Sequence, residues 1–293
     1  MPDALTPFSK DGLLSDLRKL GVESNDVLLI HSAANTLGSA RDLLKAPDTG
    51  MAWLLEALLE AVGPEGIVAV PTFTKTFKNA EDGPAGDVWN PARSRSRVGS
   101  FTNYIWPRPD AVRSEHPTHS LAALGRRARE FCAGHSWREG ASTLDRNGPW
   151  GKLADWDGKI LWLGTGMPTQ TAVHAVEDWM RLPYMATCVA LVEDHGATRE
   201  VHVTQSPAGP RDFYSRGSKT ERAWNTTGLG RRGRVCKADC QLMRAREFFD
   251  WLWNALLRDP ALLLKDDPKD QWSVQAKQKT AEYLAGFKGT WRR

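Results

Sequence analysis

Two short, continuously apolar segments separated by an amphipathic stretch constrain the fold most. Residues 26–31 (DVLLIH) and 66–71 (GIVAVP) have the pattern of strands buried on both faces. Residues 50–62 between them repeat apolar side chains at helical spacing, and Gly63-Pro64 then ends the helix. Strand, helix and strand within about 45 residues form a βαβ unit, whose two strands are expected to run parallel.

Other segments predict the remaining elements. Residues 159–164 (KILWLG) have the pattern of a third buried strand. Residues 185–193 and 199–204 alternate polar and apolar side chains around residues 194–197 (DHGA), which is a hairpin signal. The further expected elements are a helix at 6–20, a loop at 75–97, a short helix at 99–106, a strand at 119–124 followed by a helix through Cys132, a loop at 134–151, and helices at 171–180, 238–258 and 271–285.

These elements predict an α/β protein that forms a single α/β/α-type domain over residues 1–293. Its central sheet is expected to be mixed and largely parallel, with a β-hairpin insertion and a helical C-terminal part. No internal repeat is evident, and no linker is long enough to separate independent domains. The core is expected at about 14–264, followed by a helical extension over about 265–293.

The composition is that of a globular chain of 293 residues, 41% hydrophobic and 25% charged. Thirteen tryptophans exclude a disordered, low-complexity chain and predict large flat apolar surfaces, in a core or around a ligand. Four cysteines without a CxxC pair predict reduced thiols. No apolar run approaches the ~20 residues of a membrane span and no secretory signal is visible, so we expect a soluble, cytoplasmic protein.

The net charge of +4 hides a split along the chain. Residues 1–204 contain 21 basic and 25 acidic side chains, net −4, whereas residues 205–293 contain 18 and 10, net +8. The basic half and the Arg-Ser run at 92–97 would suit nucleic acid or a phosphate-bearing ligand. A solvated helical face and a solvated loop explain them equally simply, and the basic residues are spread among acidic ones, so no nucleic-acid partner is expected.

Polar residues follow each of the three buried strands. The first strand ends at His31-Ser32, the second is followed by Thr72 and Thr74, and the third by Gly164-Thr165-Gly166. In open α/β sheets, ligands bind beyond the carboxyl ends of the strands. If the three strands are parallel neighbours, these residues line one crevice.

A histidine and a carboxylate share one helix face directly after the third strand. Thr171, His174 and Glu177 follow at steps of three and therefore lie within about 120° of one another around the helix. A carboxylate that orients an imidazole and stabilises its protonated form makes the histidine a suitable general base. A His–Glu pair on the helix surface is the alternative.

Several common site types lack their sequence marks. His116 and His119 are three residues apart, but Pro117 argues against a helix and no further zinc ligands are evident, so no metal is expected. Walker A, the complete dinucleotide fingerprint and the Gly-x-Ser-x-Gly nucleophile turn are all absent from the sequence. Nucleotide-dependent chemistry and serine hydrolysis are therefore not favoured.

Five groups of segments, in order along the chain, resemble the aminoglycoside 3-N-acetyltransferase family. These are coenzyme A-dependent N-acyltransferases distinct in fold from the GNAT superfamily. The resemblance covers about residues 14–264. The segments are LLIHS at 28–32 with Leu37-Gly38, GPEGIVAVPTFT at 63–74, RSEHPTHS at 113–120 with AALG at 122–125, GPWGKL at 148–153 with GKILWLG at 158–164 and the Thr171, His174, Glu177 face, and residues 234–243 with Asp259-Pro260.

The resemblance implies an acetyl-CoA co-substrate, an amine acceptor and no metal. His174 would match the family's catalytic base and Glu177 its carboxylate partner. On the donor side the expected residues are His31, Ser32, Thr72, Thr74 and Thr171. On the acceptor side we expect Asp178 and Trp179. Neither a membrane nor nucleic acid is expected as a partner, and both a monomer and a homodimer stay open.

The chain departs from the family pattern in ways that bear on the acceptor. Ala33-Ala34 follow Ser32 where the family often has a second Ser and a Leu, and Cys236 stands where Gly is usual. A pI of about 8.9 argues against a polycationic aminoglycoside, although Glu139, Asp145 and Asp178 keep local acidity. A smaller amine of a biosynthetic pathway is the alternative acceptor. A cleft rich in carboxylates would favour the antibiotic, and an apolar, Trp-lined cleft another amine.

Overall fold

A central sheet of seven strands organises the structure, a computed structural model that describes residues 8–38, 49–83, 86–207 and 209–292. The strands are β1 (Val27–Ser32), β2 (Ile67–Pro71), β3 (Phe77–Asn79), β4 (Val88–Trp89), β5 (Val112–Arg113), β6 (Leu121–Leu124), β7 (Lys159–Leu163), β8 (Ala186–Asp194), β9 (Ala197–Ser206), β10 (Arg231–Val235) and β11 (Ala238–Arg244). The helices are α1 (Lys10–Leu20), α2 (Thr49–Val62), α3 (Ser100–Ile105), α4 (Ala128–Cys132), α5 (Pro149–Asp155), α6 (Ala172–Met180), α7 (Lys219–Asn225), α8 (Ala245–Arg258) and α9 (Gln271–Ala285).

The sheet has the strand order β10-β11-β7-β1-β2-β6-β5. Its centre is parallel, because β1 pairs with both β2 and β7 in that direction. The outer strands on both sides run antiparallel to their neighbours. The predicted α/β fold with a mixed sheet is confirmed, and parallel pairing is confined to the three strands that the apolar segments predict.

Helices cover both faces of the sheet, which explains why its central strands are apolar throughout. Alternate side chains of a strand point to opposite faces, so Leu29 and Ile30 enter different cores. One core joins the sheet to α4, α5, α6 and α8, and the other joins it to α1, α2 and α3. The result is the predicted α/β/α layering, and it places α6 on the face of β1 that carries Leu29.

The predicted hairpin is confirmed as β8 and β9. His195 and Gly196 turn the chain with φ of 50° and 83°, and residues 186 to 206 pair across the hairpin with one bulge. The prediction of a loop at 75–97 is wrong in part, because β3 and β4 lie within it and flank β8 to complete a second sheet. Segments of two and three residues carry too little periodicity to be recognised alone, and their partner lies about a hundred residues away in the sequence.

The expected helix at 238–258 is also wrong over its first seven residues. Residues 238–244 form β11, which pairs antiparallel with β7 on one side and β10 on the other, and the helix begins at Ala245. Ala238, Cys240 and Leu242 face one core, an alternation with a period of two. Cys236 lies in the tight β10–β11 turn with φ of 50°, so it does not share a helix face with Cys240.

Smaller differences occur at element ends. The first helix begins at Lys10, where Ser9 caps it, while the first seven residues, including the predicted start at 6, lie outside the described residues. The expected loop at 134–151 ends in α5, which has Pro149 in its first turn. Among the residues described, no helix combines the length and the apolar character needed to cross a bilayer.

Gly164, where β7 enters the crevice, provides a test of this architecture. Its φ is +68°, and a Cβ there would lie 1.8 Å from Thr36 Oγ1, which donates a hydrogen bond to the Ala33 carbonyl at 2.7 Å. We expect Gly164→Ala to lower the free energy of unfolding by more than the about 1–3 kcal/mol of a strained φ alone, measured by urea denaturation.

The matched control is Gly196→Ala in the hairpin turn. Its φ is also positive, at +83°, but no atom lies within 4 Å of the added Cβ. This variant should show only the conformational cost, so equal losses for the two variants would contradict the close approach at Gly164.

Candidate active site

A cavity of about 440 Å³ opens at the carboxyl edge of the parallel strands. Because β7, β1 and β2 are adjacent and parallel, their carboxyl ends share this edge, as the sequence predicts. Residues from β1, from the segment after β2 and from the start of α6 meet here. The lining consists of Ile30, His31, Ser32, Pro71, Phe73, Val98, Gly99, Thr102, His119, Pro168, Thr169, Gln170, Thr171, His174, Phe213 and Tyr214.

His174 and Glu177 form a buried hydrogen-bonded pair on α6. The Nδ1 atom of His174 bonds to Oε2 of Glu177, and the two side chains are 6% and 0% exposed. An ionised carboxylate only accepts hydrogen bonds, so a neutral His174 donates its Nδ1 proton and carries its lone pair on Nε2. The spacing of three residues on one turn brings the pair together, as the sequence predicts.

Glu177 is held in its ionised form by two further partners. Its Oε1 accepts hydrogen bonds from the Arg211 Nε and the Tyr184 hydroxyl, both at 2.8 Å. Burial alone would raise the pKa of this carboxyl, but the charges of Arg211 and His174 and the hydrogen bonds outweigh it and lower the pKa to about 2. The carboxylate is therefore charged at any pH at which the protein works.

Arg211 is the main site residue that the sequence reasoning missed. Its side chain is fully buried, with the guanidinium carbon 4.5 Å from the Tyr184 ring centre and 5.4 Å from that of Trp272. Aromatic faces attract a guanidinium, so these rings complete its surroundings. Arg211 lies 34 residues after Glu177, beyond the hairpin, and no local spacing connects the two.

The Tyr214 hydroxyl lies 3.1 Å from His174 Nε2. Because Nε2 carries the lone pair, the hydroxyl is the donor of this bond. Tyr214 is 50% exposed and lines the cavity, whereas the neighbouring Phe213 is buried against the His174 ring at 5.3 Å between ring centres. The hydroxyl occupies the position from which an N–H of an acceptor would reach the base.

The residues predicted for the donor side divide into two groups. His31, Ser32 and Thr171 line the cavity. Thr72 does not: it is fully buried, and its hydroxyl pairs with Ser120 at 2.9 Å. Thr74 lines a neighbouring cavity instead and donates a hydrogen bond to the Pro117 carbonyl at 2.7 Å.

The two residues predicted for the acceptor side lie away from the cavity lining. The Asp178 carboxylate accepts hydrogen bonds from Ser142 Oγ at 2.9 Å and the Leu144 backbone N–H at 2.8 Å. Trp179 donates from its indole N–H to the Leu144 carbonyl at 2.9 Å and stacks on Trp291. Both contacts tie α6 to neighbouring segments of the chain.

Two further cavities adjoin the central one. One of about 810 Å³ shares Gly99 with it and is lined by Lys75, Arg95 and Arg97, together with Asp87. The other, of about 510 Å³, shares Pro168 and Thr169 with it and carries two cations and two carboxylates. These four charged residues are Arg216, Glu221, Lys237 and Asp239.

The remaining histidines near the site are neutral and packed. His116 and His135 stack with ring centres 4.4 Å apart, and burial lowers both pKa values, that of His135 to about 4. His119 lines the cavity edge-on to His174, at 6.2 Å between ring centres. Within the described ranges, no group of three or more His, Cys, Asp or Glu side chains is placed to hold a metal ion.

Comparison with known proteins identifies the chain as an acyltransferase of one family. The family model described as "Aminoglycoside 3-N-acetyltransferase" matches residues 29–256. The chain belongs to this family. A curated relative, aminoglycoside N(3)-acetyltransferase VII of Streptomyces paromomycinus, is 26% identical over 281 residues, covering 86% of this chain and 94% of that protein.

Solved structures share the fold. The apoenzyme of aminoglycoside acetyltransferase AAC(3)-IVa superposes with a TM-score of 0.74 at 23% identity, covering 95% of this chain and 99% of that chain. AAC-IIIb, described as a binary complex with CoASH, has a TM-score of 0.71 at 22% identity over 85% of this chain and 96% of that chain. The expected fold and family are confirmed together.

Asp178 connects the site helix to a pH dependence of stability. Burial raises the pKa of its carboxyl to about 7, although the bonds from Leu144 and Ser142 oppose the shift. The folded state thus binds more protons than the unfolded state between the unfolded pKa and about 7, so stability falls as the pH rises through this window. We expect Asp178→Asn, which keeps both hydrogen bonds without a charge, to remove this loss.

The measurement is thermal unfolding from about pH 5 to about pH 8, with the Tm difference between variant and wild type growing with pH. Asp110→Asn, which changes an aspartate whose side chain is 55% exposed, is the control and should give a constant difference. Parallel curves for Asp178→Asn and the wild type would contradict the assignment.

Proposed function

We propose that the protein transfers the acetyl group of acetyl-CoA to an amino group of an aminoglycoside, at the 3-N position named for its family. The observation that carries this proposal is the buried His174–Glu177 pair, whose free Nε2 faces the cavity at the sheet edge. The names of the curated relatives support the acceptor, and the description of AAC-IIIb with CoASH supports the donor.

The reaction requires a base because an alkyl amine is protonated at neutral pH, with a pKa near ~10. The amine that has lost its extra proton adds to the thioester carbon through its lone pair, and the carbonyl π electrons move to oxygen. His174 Nε2 takes the N–H proton as the C–N bond forms. Collapse of the tetrahedral intermediate breaks the C–S bond, and the proton on His174 neutralises the departing thiolate, leaving an amide and free CoA thiol.

Glu177 and Arg211 support this proton transfer without touching the substrate. The carboxylate fixes the ring orientation and offsets the positive charge of His174 after it takes the proton. Arg211 keeps the carboxylate ionised, since it donates to the second oxygen at 2.8 Å. Tyr214 leaves Nε2 when the acceptor enters, because the hydroxyl and the amine compete for the same lone pair.

The cations of the 810 Å³ cavity support a place for the phosphates of the donor. Lys75, Arg95 and Arg97 are exposed on one side of the central cavity, and Gly99 lines both cavities. The pantetheine arm would then pass Gly99 with its thioester beside His174. The Arg-Ser run at 92–97 thus has a role in binding phosphate, one of the two ligand types that its charge favours.

A second candidate acceptor, a small amine of another kind, is favoured by one observation. Among the described residues that line the central cavity, none has a carboxylate, and none is a tryptophan. Polycationic ligands are bound by carboxylates, of which the nearest are Glu221 and Asp239 in the 510 Å³ cavity beyond Thr169. A single amine on a neutral framework would fit the central cavity with fewer charges to neutralise.

Substitution of the base tests the mechanism. His174→Ala should lower kcat by about 10²–10⁴-fold in an assay that follows free CoA thiol against a panel of aminoglycosides and simple amines. His202→Ala, at an exposed histidine of β9, is the matched control and should behave like wild type. Full activity in His174→Ala would refute the mechanism, whereas turnover with other amines alone would refute only the aminoglycoside acceptor.

The donor site is tested with a double variant, Arg95→Ser with Arg97→Ser. Loss of two phosphate partners should raise KM for acetyl-CoA by about tenfold, with less dependence on salt, and leave KM for S-acetylpantetheine unchanged, since that donor lacks the phosphates. Arg93→Ser changes an arginine of the same run that pairs with Glu193 outside this cavity, so its KM should not move. An equal rise for both donors would argue against phosphate binding here.

A further inference from the structure

Three buried nitrogen atoms in the wall of the central cavity have no hydrogen-bond partner within the described part of the chain. They are Nε2 of His31, Nε2 of Gln170 and Nδ1 of His119. Buried polar groups in folded proteins are almost always paired. Three such atoms around one cavity indicate that a ligand supplies the missing partners.

Two of these side chains are nearly inaccessible and reach the cavity from opposite elements. His31 is 4% exposed at the end of β1, and Gln170, 0% exposed, directly precedes α6. His31 is two residues after Leu29 and therefore faces the same layer, which contains α6 and His174. Both groups thus stand where the sheet edge meets the helix that carries the base.

The chemistry of Gln170 is fixed by a neighbouring bond. Its Oε1 accepts a hydrogen bond from the Ala172 backbone N–H at 3.4 Å, which directs the carbonyl half of the amide toward the helix start. The Nε2 half, which only donates, is left as the unpartnered group. Gln170 therefore offers N–H groups to whatever occupies the cavity.

The charge of His31 agrees with a donor role. Burial lowers the pKa of its imidazole to about 4, although the Gln170 side chain raises it. At neutral pH the ring is uncharged and carries one proton, which in the Nε2–H tautomer is on the unpartnered atom. A neutral donor in a dry wall suits an oxygen that gains negative charge only during the reaction.

We propose that Gln170 and His31 donate hydrogen bonds to the carbonyl oxygen of the thioester and hold it as the oxyanion forms. This inference rests on the proposed acyl transfer. As the amine nitrogen bonds to the acyl carbon, the carbonyl π electron pair moves to this oxygen, and it returns when the C–S bond breaks. His119 is left out of the assignment because it is only half-buried and packs on Phe73, at 4.6 Å between ring centres.

The test measures the bound donor and its turnover separately. Acetyl-CoA labelled with ¹³C at the carbonyl, bound without an acceptor, should show its C=O stretch shifted to lower frequency in the wild type by difference infrared spectroscopy. Gln170→Met and His31→Leu, which remove the donors, should move the band back toward its value in solution. Each should also lower kcat by about 10²–10³-fold with little change in KM for acetyl-CoA.

Two further variants separate this role from a structural one. His31→Gln retains an N–H group near the position of Nε2 and should recover part of the shift and of kcat. Gln205→Met makes the same substitution at another amide with an unpartnered buried oxygen, outside the cavity lining, and should match the wild type. If His31→Leu does not fold, Gln170→Met decides the result, because Gln170 lies before the helix and outside the sheet.

The outcomes distinguish two failures. If the wild type binds the labelled donor with an unshifted carbonyl, or if both donor-free variants keep wild-type kcat, the assignment of Gln170 and His31 is wrong while acyl transfer stands. If the wild type does not bind acetyl-CoA, the proposed function fails and the assignment fails with it.

Discussion

The buried ion pair between Glu177 and Arg211 is the interaction on which the site depends. Both side chains are fully buried, and Arg211 Nε lies 2.8 Å from Glu177 Oε1. A lone charge in a protein interior is costly and is usually removed by a change of protonation. With Arg211 in place, the pair is neutral as a whole, and the carboxylate stays ionised beside His174. Without that guanidinium, Glu177 would tend to take up a proton, and a protonated carboxyl could no longer stabilise a charged imidazole.

This ion pair also connects parts of the chain that are distant in sequence. Glu177 belongs to α6, Arg211 follows β9, and Trp272, whose ring lies 5.4 Å from the guanidinium, begins α9. The C-terminal helix, expected to be an extension outside the core, therefore contributes to the surroundings of the base. Trp272 accounts for one of the tryptophans that composition alone leaves unexplained, and Trp179 and Trp291 account for two more by stacking between α6 and the chain end.

The sequence predicts well what depends on local periodicity. The three parallel strands, the hairpin and the His174–Glu177 face are each recognised from patterns within a few residues, and their shared sheet edge follows from strand direction. What it misses depends on distant partners: β11 is a strand only because β7 and β10 flank it. Arg211 is a site residue only because the fold brings it back to Glu177. Asp178 has the right charge for an acceptor site, but its face of the helix packs against Leu144.

The distribution of charge around the cavities gives the net charge of +4 a more specific meaning. On one side of the central cavity, three cations face a single carboxylate, and on the other side two cations face two carboxylates. The described lining between them has only neutral groups, since burial keeps His31 and His119 uncharged. Such an arrangement sorts two substrates by charge: a phosphate-bearing donor is attracted from one side, and an amine finds carboxylates only on the other. The neutral centre then strengthens each hydrogen bond made to the reacting atoms, because no nearby ions or water compete for them.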